Sequence, residues 1–251
     1  MRFCPGLAMC AAAFLAQPAM ADPTDVDVRV IARGAKFLGG YAAPVRIVLT
    51  DADTGETLAQ GTTSGTTGDT QRIMGGERGA RKSDADSAVF RARLDIDRPR
   101  RVTVQATGPL GQPQAVTTAT STQWILPGHH LTAGDGWLIE LPGLIVDIAD
   151  PVAYQWTKKG ERVGLRVGVT MLCGCALSQN GPWQASDAEV EAHVTVNGTA
   201  FRPVRLQFDA VSGTFAASLL ATASGLYEVE VRAWMGPTNN AGVARTAFFV
   251  R

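Results

Sequence analysis

Met171-Leu-Cys173-Gly-Cys175 is the stretch of this chain whose residue types and spacing could do chemistry. Two thiols and a thioether form a soft donor set, and soft sulfur ligands suit Cu(I). The set lacks a second cysteine pair, so it does not indicate a closed structural zinc site. The same two cysteines could instead bond to each other. Residues i and i+2 of an extended strand lie about 6.5–7 Å apart at Cα, at the edge of what a disulfide spans, so the bond would need a bend at Gly174. It would close a tiny loop and stabilise little, making a redox element rather than a staple. Met and Cys are also good core residues, and Met171, Cys173 and Cys175 continue an inward-facing series that starts at Val163. Metal site, disulfide, core and cross-link to a partner all stay open on the sequence.

Other groups offer less. His129-His130 with Asp135 could meet in a loop after Pro127-Gly128, although neighbouring histidines in a strand point to opposite faces. His193 falls between Glu191 and Thr195 on the outward side of its strand and reads as a surface histidine. Asp51, Asp53 and Glu56 cluster hard oxygen ligands of the kind calcium takes, but fall short of a full calcium loop and read as a turn. Three aromatic residues, Tyr154, Trp183 and Trp234, would make an exposed apolar patch for a partner protein or glycan if they met. There is no nucleophile elbow, zinc-protease helix, phosphate loop or dinucleotide fingerprint, so the reading favours a non-enzyme.

The elements that must position these residues are strands. Val26, Val28, Val30 and Ala32 alternate with Asp25, Asp27, Arg29 and Ile31. Ala92, Leu94 and Ile96, then Val102, Val104 and Ala106, follow the same rule. A period of two puts one set inward and the other outward. In the second half Val163 to Met171, Val190 to Val196 and Tyr227 to Ala233 alternate likewise, with Asn197-Gly198 as a hairpin turn. No helix is expected. The stretch 68–87 is almost devoid of apolar residues and reads as a long mobile loop, with disorder favoured. Pro142-Gly143 breaks the apolar run 137–148, and the domain boundary is expected near Asp150-Pro151. The fold class is all-β: two antiparallel β-sandwich domains, 22–150 and 151–251.

Ser224-Gly-Leu-Tyr227 to Ala233, followed by Thr238 to Gly242 and Ala247 to Val250, resembles the last hairpin of bacterial immunoglobulin-like domains. Asp53-Thr-Gly-Glu-Thr-Leu-Ala-Gln-Gly61 is similar to the carboxypeptidase-regulatory or transthyretin-like sandwiches. These resemblances imply domains that bind, bridge or support others, and they assign no site.

Residues 1–21 have the layout of a secretory signal peptide. Arg2 is the charged end, Leu7 to Ala19 the apolar stretch and Ala19-Met20-Ala21 the small-residue cleavage site. The stretch is too short to span a bilayer core of about 30 Å. The expected location is periplasmic or secreted. Cys173 and Cys175 are then the remaining cysteines, and two do not make a disulfide framework. Basic and acidic residues balance at 23 each, which argues against nucleic acid as a partner. The expectation is an accessory or binding protein working on a protein or glycan through loops at the sandwich ends, chiefly 173–186, with copper or thiol chemistry at Met171, Cys173 and Cys175 as the alternative.

Overall fold

A computed structural model of the chain describes residues 22–40, 43–77 and 79–251. Residues 1–21, expected to be a signal peptide, lie outside the described residues.

Alternation places the first half in two facing sheets. In one, β1 (Asp22–Ala32) lies between β4 (Phe90–Ile96), which is antiparallel to it, and β7 (Trp137–Leu141), which is parallel. The other is antiparallel throughout, in the order β3-β2-β5-β6, with β2 Arg46–Asp51, β3 Thr57–Thr62, β5 Arg100–Gly108 and β6 Thr117–Ile125. The inward series Val26, Val28 and Val30 meets Ile47, Leu49, Val102 and Val104, and all seven are fully buried.

The outward side of β1 is buried as well. Ile31 packs with Phe37, Ile73 and Ala88, and Arg29 is 3% exposed. What covers them is part of the stretch 68–87. Its first turn is a short helix, α1 (Thr70–Gly75), whose Asp69 side chain accepts the Arg72 N–H at 2.7 Å. Ile73 is its one buried residue. One apolar side chain, a helix cap and the carboxylate of Asp135, which accepts the N–H groups of Lys82 and Ser83, anchor an otherwise polar segment.

The second half has one sheet in the order β14-β15-β10-β8 and another in the order β12-β11-β16-β17-β9. The strands are β8 Leu144–Asp150, β9 Trp156–Thr157, β10 Arg162–Met171, β11 Ala188–Val196, β12 Thr199–Ala200, β13 Val204–Arg205, β14 Gln207–Asp209, β15 Thr214–Leu220, β16 Gly225–Met235 and β17 Asn240–Val250. The short β13 also pairs with β11. A four-stranded first, second, fifth and fourth strand facing a third, sixth and seventh is the immunoglobulin arrangement. Tyr227, near the start of β16, adds the tyrosine corner of that fold. Its hydroxyl accepts the Ala223 N–H and donates to the Ala223 carbonyl, both at 3.0 Å.

Because Leu144–Asp150 pairs with β10, this strand belongs to the second sandwich. The changeover therefore falls at Pro142-Gly143, ahead of Asp150-Pro151. The halves share one continuous apolar core. At the seam the buried Asn240 carboxamide accepts the Gly143 N–H and donates to the Arg33 carbonyl, each at 2.9 Å. The neighbouring Gly34 has φ +66, and any Cβ there would lie 2.6 Å from Thr238 Cγ2.

Replacing Asn240 by Ala leaves both backbone groups at the seam unpaired, and urea unfolding should register a loss of about 1–3 kcal/mol. Tyr227→Phe removes only the corner hydroxyl and should cost about 1 kcal/mol in the same assay.

Candidate functional site

The Cys-Gly-Cys segment is a tight turn at the end of β10. Gly174 N–H donates to Met171 O at 2.8 Å and Met171 N–H donates to Cys175 O at 3.0 Å, with Gly174 at φ +76. A left-handed glycine closing a hairpin in this way forms a bulge that draws the chain in. The Cα atoms of Cys173 and Cys175 are 5.4 Å apart and their sulfurs form a disulfide. Met171 and Leu172 are fully buried, and Leu172 lies against Gly143 at the seam. Bonded sulfurs offer no thiolate, so Met171, Cys173 and Cys175 are not a soft-metal site in this state.

The stretch 173–186 is not a free end loop. Trp183 is 9% exposed and its indole N–H donates to Gly34 O of the first half at 2.9 Å. Leu177 and Ala185 are buried beside it in the shared core. Trp183 is thus an anchor between the halves, which removes it from a partner-binding patch. The reason is the seam itself: this end of the second sandwich is the end that docks on the first.

The histidines separate. His130 Nδ1 accepts the Asp25 N–H at 3.0 Å, His129 Nδ1 lies 2.9 Å from Pro127 O, and Asp135 is taken up by the backbone of Lys82 and Ser83. Among the described residues no group of three or more His, Cys, Asp or Glu side chains is placed to hold a metal ion. At Asp51 the cations are arginines. Arg100 bonds Asp51 at 3.1 Å and Glu56 at 3.0 Å, and Arg101 pairs with Asp53. The backbone N–H of Thr54, that of Asp53 and the Arg100 guanidinium hold the Asp51 carboxyl at about 2.

The second sheet of the second half leaves its outer face open. His193 and Thr195 of β11, Glu228, Glu230 and Arg232 of β16 and Arg245 of β17 line a depression of about 570 Å³, with Tyr154 on its rim. Glu230 accepts from Arg232 Nε at 2.7 Å and Arg245 Nε at 2.8 Å, and these two guanidiniums hold its carboxyl below the usual carboxylate range. Thr195 donates to Glu228 at 3.0 Å, and His193 lies 3.6 Å from Glu191. Beside the depression, Phe249 of β17 carries two rings stacked against it: Trp156 at 4.8 Å and Tyr154 at 6.1 Å between centroids. Arg251 lies over the Trp156 ring at 5.8 Å.

Trp234 is on the same face, 46% exposed, against Gly236 and paired across the ladders with Glu189 and Ala241. Of the three aromatic residues expected to form a patch, Tyr154 and Trp234 share this face and Trp183 does not. Trp156, Phe249 and the Glu230–Arg245 pair were not singled out from the sequence. The one available signal was Tyr154-x-Trp156, whose spacing puts two rings on one side of an extended segment.

No family model matches the chain and no curated protein matches it. Among solved structures, an engineered protein is 18% identical over 51% of this chain and 24% of its own length, at a TM-score of 0.32. The fibronectin(III)-like modules of Clostridium thermocellum CbhA are 12% identical, covering 91% of this chain and 94% of theirs, at 0.29. A pair of titin Z1Z2 domains in complex with telethonin is 14% identical, covering 92% and 98%, at 0.25. Likeness at this level assigns no ligand, and the sandwich assignment stands on the strand pairing of the chain itself.

The depressed carboxyl of Asp51 makes its contribution to stability pH-dependent. A lowered folded-state value stabilises above the unfolded value, which is 3.8, and that gain is lost as pH falls through about 2. Asp51→Asn should therefore unfold at lower urea than the parent at pH 5, with the gap closing by pH 2.

Proposed function

We propose that this chain is an exported binding module that engages its partner on the outer face of the β11-β16-β17 sheet. The observation that carries the reading is the open depression on that face, with paired Glu230, Arg232 and Arg245 at its floor and exposed Tyr154 and Trp156 beside it. Large aromatic side chains left in water next to fixed hydrogen-bonding groups are the usual makings of a recognition surface. The loop 173–186, by contrast, is occupied by the seam.

Export is supported by the layout of residues 1–21 and by a disulfide, which persists in oxidising compartments. Among the described residues no helix is long and apolar enough to cross a membrane. The strand order β4-β1-β7 over β3-β2-β5-β6 supports the transthyretin-like assignment of the first half, with that half acting as a support for the second.

A photoreactive residue at position 243 of the exported protein, exposed on β17 opposite Arg232, should cross-link to a partner in cells, and Tyr154→Ala should abolish the product. The same residue at position 120, on β6 of the first half, should give none. Equal yields at both positions, or no product at 243, would remove the binding face from the proposal.

The alternative reading, thiol or copper chemistry at Met171, Cys173 and Cys175, has one observation behind it. Cys175 is only partly buried, next to the exposed Gly174, so an external dithiol can reach the bond. The exported protein without residues 1–21, once denatured, should show no free thiols before reduction and two after it. If the reduced parent takes up Cu(I) and Cys173→Ser does not, the copper reading holds; absence of uptake by the reduced parent refutes it.

A further inference from the structure

We infer that the partner on the β11-β16-β17 face is a neutral carbohydrate chain, lying along the sheet between aromatic rings. The inference rests on the binding-face reading and adds the chemistry of what is bound.

Tyr154 and Trp156 are 68% and 61% exposed, although each ring would gain by burial. They are not loose: both stack on the half-buried Phe249. Tyr154 is also held at φ +60, a left-handed conformation that is strained for a bulky residue. Its N–H is tied to the Ala247 carbonyl at 2.6 Å, so the backbone is fixed while the ring stays in water. At the other end of the face stands Trp234. Leu226 of β16 pairs with Phe249, and Trp234 lies eight positions further along the same strand, so the two aromatic ends are about 26 Å apart. That span suits several sugar units, not one.

The floor between these ends is polar and, taken together, acidic. Glu230 is compensated by two guanidiniums, whereas Glu228 is held by the neutral Thr195 hydroxyl and Glu191 faces His193. Such a floor repels a phosphate or an acidic sugar. It does present fixed donors and acceptors at alternating positions, which vicinal hydroxyls can bridge. The C–H face of a pyranose ring supplies the complementary apolar surface for Tyr154, Trp156 and Trp234. The depression, about 570 Å³, falls in the range of ligand sites and is open to solvent. Protein interfaces have the reverse order, with a dry apolar centre and a polar rim. Here the polar groups are central and the rings lie outside them.

The test is titration of the exported chain with cellohexaose, chitohexaose, laminarihexaose and maltohexaose, and with polygalacturonate as the acidic probe. Tryptophan fluorescence and calorimetry would be read together. At least one neutral hexasaccharide should bind saturably. Trp156→Ala, Tyr154→Ala and Trp234→Ala should each weaken it about tenfold or more, as loss of an interface anchor does. Trp124→Ala, an exposed ring on the first half, should leave binding unchanged. All four side chains are exposed, so their unfolding midpoints serve as a folding control. Binding that survives Trp156→Ala, or a preference for polygalacturonate, overturns the inference. If no hexasaccharide binds while the cross-link at position 243 persists, the carbohydrate is wrong and the binding face stands; if both are absent, both fall.

Discussion

The carboxamide of Asn240 sits at the first position of β17 with no exposure to solvent, holding Gly143 on one side and Arg33 on the other. A buried carboxamide is costly unless its donors and acceptor are used, and here the Thr238 hydroxyl takes the second donor position at 3.0 Å. Much of the architecture follows from this junction. With the Arg33-Gly34 turn fixed, the Trp183 indole finds its acceptor at Gly34 and Leu172 packs on Gly143. The disulfide turn is thereby pressed against the other half, and that end of the second sandwich is closed. The Gln114 side chain of the first half reaches across to the Val146 carbonyl at 3.3 Å and ties the junction from another side.

The two central sheets then meet opposite fates. In the first half, the outer side of β1 is covered by the stretch 68–87, and Arg29 is buried beside Asp27 and the Asp135 carbonyl. In the second half, the outer side of β16 stays wet and its arginines remain in solvent. Exposed ion pairs of this kind contribute between nothing and about 1 kcal/mol to stability. The Glu230 network is better understood as something that fixes the direction of donors than as something that holds the fold together. What holds the fold is the apolar core beneath it, from Val194 through Val231 to Phe248.

Strand identity was legible because alternation is local: Val163 to Met171 reads directly as one buried row, and the burial pattern of β10 repeats it. The immunoglobulin character of the second half was legible from its final hairpin, in which Tyr227 turns out to be the corner residue. Three things were not legible. Ile31 sits in an outward series, and nothing near it indicates that Ile73, in a segment read as polar and mobile, will cover it. Trp183 looks like a loop aromatic until Gly34, far away in the chain, supplies an acceptor. The stacking of Tyr154 and Trp156 depends on β9 joining β17 in parallel, a pairing that no local turn announces. Each miss is a contact distant in sequence, where composition and periodicity carry no information.

Leu144–Asp150 has a further consequence. This strand precedes Pro151, where the sequence pattern alone would start the second domain, yet it forms the edge of that domain's sheet beside β10. A fragment begun at Pro151 would uncover the main-chain edge of β10 along the row from Val167 to Met171. A bare edge backed by apolar side chains invites strand addition from neighbouring molecules. Modularity in this chain therefore stops at Pro142-Gly143: recombination, excision or fusion made there keeps both sheets whole, and the same operation a few residues later yields a fragment prone to aggregate.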